Sequence, residues 1–205
     1  MYIPKHFRNE NIDQVREFIK ANSFGILVSQ TEGNLFATHI PLELDQNEAG
    51  KDILCGHISK ANPQWRNFKS ETEVLAIFSG SHTYISSSWY DHENVPTWNY
   101  MAVHVRGKIQ IIEGEKLMLA LKKLVDKYES ASENPVSIEK MSSKMLEKEI
   151  KGIIAFEIEI EKIEAAYKLS QNRDAKNHEN IIKELEKRGD ENSLKVAEQM
   201  GKGRK

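Results

Sequence analysis

From Ala102 to Ile112 the chain alternates without interruption: Val103, Val105, Gly107, Ile109 and Ile111 fall on one side, His104, Arg106, Lys108 and Gln110 on the other. Successive side chains of an extended chain leave opposite faces, so this pattern sorts cleanly only in a strand with one dry and one wet face. Ile154, Phe156, Ile158 and Ile160 set against Glu157, Glu159 and Glu161 repeat the pattern near the other end. A sheet that tolerates water on one face is normally antiparallel, because parallel sheets are covered on both sides. The fold must therefore be built around antiparallel strands.

The rest of the sequence supplies more strands than helices. Gly25 to Ser29 and Leu35 to Leu42, separated by the turn-forming Thr31-Glu32-Gly33-Asn34, predict a hairpin. In its second strand Phe36, Thr38, Ile40 and Leu42 share one face, and Leu35, Ala37 and His39 the other; Pro41 cannot donate to a ladder and marks an edge or bulge. Further strands are expected at 53–58, 74–79 and 82–86, with a short helix capped by Asn62 and opened by Pro63 after the first of these. A helix starts at Asn11, one runs through Leu117, Leu121, Leu124, Val125 and Tyr128, and a third follows a Ser137 cap with Ile138, Met141 and Met145. The tail predicts two helices, 174–188 and 190–200, parted by Gly189. No regular strand–helix–strand alternation occurs, so the pattern reads as a closed antiparallel barrel with peripheral helices.

Composition narrows the setting. The 205 residues hold 29 basic and 31 acidic side chains and a single cysteine, Cys55, expected as a small buried strand residue with no disulfide partner. No stretch reaches the length of apolar chain a bilayer requires and no secretory pattern opens the sequence, so a cytoplasmic protein without membrane attachment is expected. Residues 168–205 carry ten Lys or Arg against seven Asp or Glu, leaving the remainder acidic. A duplex-binding surface draws its affinity from phosphate neutralisation, and only this tail offers a basic excess.

Polar and aromatic residues crowd between positions 37 and 104. Five of seven histidines (His39, His57, His82, His92, His104) and all three tryptophans (Trp65, Trp89, Trp98) lie there. None of the histidines stands at a metal-binding spacing, and no metal centre is expected. A nucleophile elbow, a Rossmann glycine fingerprint and a phosphate-loop sequence are all missing, which disfavours the corresponding chemistries. The cluster suits a flat cofactor carrying a phosphate: rings to stack on, the amides of Asn62, Gln64 and Asn99 to meet a heterocycle edge, Ser59 and Lys60 to hold an anion. The same residues equally fit satisfied polar groups of a barrel core.

Longer phrases weigh between these readings. Gly56-His-Ile-Ser-Lys-Ala-Asn-Pro-Gln-Trp65, Ala37-Thr-His-Ile-Pro-Leu42, Val95-Pro-Thr-Trp-Asn-Tyr100 and Lys168-Leu-Ser-Gln-Asn-Arg173 resemble the PaiB family of transcriptional regulators, and further matches run from Met1-Tyr-Ile-Pro4 to Val196-Ala-Glu-Gln-Met200. One departure is Ser87, where proline is expected. The resemblance implies a mainly β, six-stranded Greek-key split barrel of FMN-binding type over residues 1–170, with a helical extension over 171–205. It also implies a homodimer holding FMN in clefts between subunits. Thr38 and His39 would run beside the ring system, His57, Ser59 and Lys60 near the phosphate, with Asn62, Gln64 and Trp65 completing that wall. Trp98, Asn99, Lys168, Gln171 and Asn172 would close over the flavin, some of them from the partner.

Two functions of different class follow from a flavin. One is a repressor-like regulator, with DNA as a partner; against it, the tail helices lack the exposed basic face of a helix-turn-helix reader. The other is an oxidoreductase using NAD(P)H, because split barrels host such enzymes and the cofactor carries the chemistry. Haem handling, with a cleft histidine as ligand, is a third and more distant reading.

Overall fold

Asn11 accepts a hydrogen bond from the Gln14 amide at 3.1 Å, and this cap starts helix α1, Ile12–Ala21, in the computed structural model of the chain, which describes residues 1–31, 33–69 and 71–203. The hairpin forms as its periodicity predicts: β1 (Phe24–Thr31) and β2 (Asn34–Pro41) pair antiparallel from Phe24 opposite Pro41 to Thr31 opposite Asn34. Glu32 of the expected turn and the terminal Arg204-Lys205 lie outside the described residues. There follow β3 (Glu43–Gln46), β4 (Asp52–Ser59), β5 (Thr72–Ile85), β6 (Thr97–Ile112) and β7 (Ile153–Lys168), in the order β2-β1-β5-β6-β7-β4-β3. Helices α2 (Gly114–Glu129), α3 (Ser143–Lys151), α4 (Ala175–Arg188) and α5 (Glu191–Lys202) complete the chain.

The sheet has seven strands where six are expected. The additional one, β3, is four residues long and polar, and Leu44 is its one apolar residue, so it shows no alternation to read; it exists because its backbone pairs with β4. The two expected strands at 74–79 and 82–86 are one strand, β5. Gly80 within it is not a turn residue: a Cβ there would come 2.6 Å from Cε2 of Phe18, so the glycine makes room for a ring. The helix expected behind Ser137 is displaced. Ile138–Lys140 is a single 3-10 turn, and Ser142 caps α3 by accepting from the Met145 amide at 3.3 Å. Glu157, expected to face solvent, is buried on β7, hydrogen-bonded to the Gln110 amide with Lys116 at 3.7 Å. At Ser87 a 3-10 turn forms without proline, because the Ser86 hydroxyl accepts from the Ser88 amide at 3.2 Å.

The described residues divide into two compact units, with α1, β5, β6 and β7 each contributing to both. The larger comprises 19–77 and 105–163 and has Leu27, Leu42, Leu54, Ile109, Phe156 and Ile158 fully enclosed. Within it β2 also lies against β4, so its strands curl round a shared core. Phe68 meets Phe156 edge-on at 5.3 Å between ring centres. The smaller comprises 1–18, 78–104 and 164–205, with Phe78, Ile85, Ile181, Leu185 and Met200 at its centre. Its helices α4 and α5 meet at Gly189, whose φ of +75° permits the turn, and Asp174 and Asp190 cap them by accepting from Asn177 and Ser193, each at 3.0 Å. No helix among the described residues is long and apolar enough to cross a membrane.

Gly107 tests a close backbone approach in the larger unit. A Cβ there would sit 2.0 Å from the carbonyl oxygen of Glu159, which only movement of a strand relieves. Gly107→Ala should lower unfolding free energy by about 2–3 kcal/mol, measured by urea denaturation. An unchanged midpoint would contradict this strand spacing.

Candidate functional site

The structure sorts the expected site residues by unit. In the larger unit β4 ends at Ser59, and a turn at Lys60 and Ala61 leads to the 3-10 helix Pro63–Asn67. Asn62 caps that helix, its Oδ1 accepting from the Gln64 amide at 3.0 Å. Its Nδ2 donates to the Thr38 hydroxyl at 2.9 Å, and Thr38 Oγ1 donates to Gln64 Oε1 at 2.5 Å. Gln64 has no exposed surface, and its Nε2 donates to the Leu27 carbonyl at 3.1 Å and to Ser29 Oγ at 3.0 Å. Every donor of this amide is thus used within the protein. Expected as a ligand contact, Gln64 is an internal tie between β1, β2 and the 3-10 helix.

The turn itself presents exposed chemistry. The side chains of Ser59 and Lys60 are open to solvent, while the backbone that carries them is tied down. The Lys60 amide donates to the Gly152 carbonyl at 2.8 Å, its carbonyl accepts from Trp65 Nε1 at 2.8 Å, and the Asn62 amide donates to the Ser59 carbonyl at 2.9 Å. A hydroxyl and an ammonium on a fixed turn can take a phosphate. His57 stands two residues back on the same face of β4, half-buried opposite Ala155, and burial holds its imidazole below the ordinary 6.5. His39 is exposed and points to the opposite face of β2 from Thr38. Cys55, half-buried on β4, has its thiol pushed up to about 12 by burial and then by Asp45 and Glu157, which leaves it protonated and unreactive.

In the smaller unit a second buried amide plays the part of Gln64. Asn99 is fully enclosed; its Nδ2 donates to Ser170 Oγ at 3.0 Å and approaches Met200 Sδ at 3.5 Å, and its Oδ1 lies 3.1 Å from the same Ser170 hydroxyl. Ser170 holds φ at 58°, the one positive value at a non-glycine among the described residues. Around it Gln171 folds back on its own loop, accepting from the Leu169 amide at 2.7 Å and donating to the Tyr167 carbonyl at 2.5 Å. Lys168 is hydrogen-bonded to the Thr97 hydroxyl with its ammonium 6.0 Å from the Phe7 ring centre; burial, then the nearby Arg173, lower its pKa. Asn172 is exposed on the turn. Trp98 is 54% exposed and forms an aromatic surface with His82 and Tyr84, at 6.0 and 6.1 Å between ring centres.

Sequence reading misses Ser29 and Ser170. Ser29 gives no signal, since nothing in a strand marks one serine as the acceptor for an amide 35 positions on. Ser170 lies inside the quoted Lys168-to-Arg173 phrase, but its left-handed backbone is one that glycine or asparagine ordinarily signals.

The family described as "Putative FMN-binding domain" matches residues 1–162. "Protease synthase and sporulation protein PAI 2" of Bacillus subtilis is 45% identical over 200 residues, 98% of this chain and 96% of that protein. Among solved structures, the FAD and haem binding protein from Mycobacterium smegmatis superposes with a TM-score of 0.60 at 13% identity, covering 84% of this chain and 78% of the other. The flavocytochrome Anf3 from Azotobacter vinelandii gives 0.57 at 16% identity, covering 81% and 72%. These likenesses establish the fold as the split barrel expected from the sequence, with β3 added.

The His57 environment predicts a pH dependence. The folded protein keeps this imidazole neutral where the unfolded chain takes up a proton, so stability falls as pH drops through about 6.5, and the loss is complete below the lowered folded pKa. Replacing His57 by glutamine removes that contribution. Urea unfolding of wild type and His57→Gln should show a constant difference above pH 7.5 that shifts against the wild type between pH 7 and 5; a difference independent of pH would refute the assignment.

Proposed function

Because the chain belongs to the PaiB family of FMN-binding domains, we propose that it is a cytoplasmic flavoprotein which binds FMN and acts as a PaiB-type, repressor-like regulator. The observation that carries the reading is the Ser59–Lys60 turn: an exposed hydroxyl and an exposed ammonium on a backbone fixed from three directions. A phosphate dianion rewards such fixed donors, because their ordering cost is met in folding and not in binding. Thr38 and Asn62 brace the turn, and Trp65 caps it. When bound, FMN supplies one- and two-electron redox chemistry.

The residues of the smaller unit enter this reading unequally. Trp98 offers an open ring face for stacking, and Lys168 and Asn172 offer polar groups; Asn99 and Gln171 serve by holding the 168–173 turn. A homodimer, with FMN at the interface between copies, supplies a cover for the exposed aromatic surface of His82, Tyr84 and Trp98. Residues 1–170 form the cofactor-binding part and 171–205 its helical extension. Regulation through flavin occupancy or redox state fits the tail better than groove reading does. Three of its lysines are engaged along their own helices, Lys183 with Glu179 at 2.9 Å, Lys195 with Glu191 and Lys202 with Glu198 at 2.6 Å, which blunts attraction to duplex phosphates.

Purified without added cofactor, the protein should show the absorption bands of oxidised flavin; a Soret band would replace this reading with haem handling, and a colourless protein that also fails to bind added FMN would refute it. Anaerobic NADH or NADPH should leave the flavin oxidised, whereas rapid bleaching would make the chain a reductase. Lys60→Ala should weaken FMN binding at least tenfold and riboflavin binding little, since only FMN carries the phosphate. Equal losses for both would remove Lys60 from that role.

A further inference from the structure

Gln64 is bonded to Asn62, which closes the Ser59–Lys60 turn, and to β1 and β2, yet no polar atom of its side chain reaches solvent. Its Oε1 is taken by the Thr38 hydroxyl at 2.5 Å and its two amide protons by Leu27 O and Ser29 Oγ at 3.1 and 3.0 Å. Its backbone amide is taken by Asn62 Oδ1 at 3.0 Å. Both amide protons are used inside the core and no part of the side chain is exposed, so a ligand could reach this amide only by opening the packing around it.

The network has a direction. Asn62 Nδ2 donates to Thr38, Thr38 donates to Gln64, and Gln64 donates to two groups of β1. One end is therefore the rigid sheet, and the other is Asn62, whose own amide closes the turn by donating to the Ser59 carbonyl at 2.9 Å. Trp65, the residue after Gln64, returns to the same turn through Nε1 and the Lys60 carbonyl. Two of the three backbone ties of the turn, those from Asn62 and Trp65, thus adjoin one buried amide, while the third runs to the Gly152 carbonyl.

We propose that Gln64 is a positioning residue for the anion-binding turn: it fixes Asn62 and Trp65 against β1 and β2, and through them sets where Ser59 Oγ and Lys60 Nζ meet the phosphate of FMN. This rests on the FMN reading above, and it makes a distinct statement about the protein with no ligand bound. A carboxamide is required, because glutamate keeps the acceptor for Thr38 but loses both donors, and methionine keeps the volume but loses everything polar.

The test compares wild type, Gln64→Met, Gln64→Glu and Thr38→Val in the full-length protein. Two readouts are used: the ratio of FMN to riboflavin affinity by flavin fluorescence, and backbone hydrogen exchange at residues 60–62 without ligand. The expected result is a loss of FMN affinity of tenfold or more with riboflavin affinity within threefold of wild type, faster exchange at 60–62, and restoration of both by Thr38→Ser relative to Thr38→Val. Equal losses for both flavins with wild-type exchange would make Gln64 a ligand contact and overturn the proposal, as would variants that match wild type in both readouts. Should the wild type bind no FMN, the functional reading falls while the exchange measurement still decides: unchanged protection at 60–62 refutes the positioning role. If the Gln64 variants do not fold, Thr38→Val and Thr38→Ser, which alter one link of the network, decide it alone.

Discussion

A side-chain amide removed from water must find a partner for each of its protons, and leaving one unmet costs about 1–3 kcal/mol. Two such amides organise this protein. Gln64 joins β1 and β2 to the 3-10 helix that follows β4, and Asn99 joins β6 to the left-handed turn at Ser170 and to Met200 of α5. Each satisfies its demand only if a specific surface turn takes a specific position. The cost of an unmet donor in the interior is thereby turned into definition at the surface, and the exposed Ser59, Lys60 and Asn172 inherit it. The same logic explains the strain at Ser170: a non-glycine at φ 58° persists because its hydroxyl meets the Asn99 carboxamide on both sides.

The sequence shows the elements better than it shows these ties. Alternation over 102–112 and 154–161 is a local property set by the sheet surface, and both strands form, longer than the alternation because their ends are held by partners and not by pattern. Caps are local too: Asn11 and Asn62 act where expected, while the expected Ser137 cap gives way to Ser142. The other failures occur where a distant group decides. The break expected between 79 and 82 stands until the Phe18 ring that fills the space beside Gly80 is known, Glu157 reads as a solvent residue until Gln110 and Lys116 are placed, and β3 has no signal but its pairing with β4.

The candidate site divides along the same line. Gathering Thr38, Asn62 and Gln64 was within reach of the sequence, because the phrases that hold them carry the family resemblance. Their roles were not. A glutamine that binds a ring edge and a glutamine that ties two strands are the same residue in a sequence, and only burial separates them. His39 shows the converse: adjacent to Thr38 in the chain, it faces away from it, since a strand sends neighbours to opposite sides.

A fold shared at 13–16% identity with an FAD and haem binding protein and with a flavocytochrome does not carry a ligand by its sheet alone. The strands supply a rigid frame, and what a given chain can hold depends on short segments at their ends. Under the proposed reading the candidates are the 59–62 turn after β4 and, separately, the 168–173 turn after β7, each two or three exposed polar residues wide and each keyed to the interior by one amide. Substitution of the exposed residues changes what chemistry is offered, while substitution of Gln64 or Asn99 changes whether any chemistry is held in place. The proposed positioning role therefore makes ligand choice and ligand placement separable, the first resting on residues that solvent touches and the second on residues it does not reach.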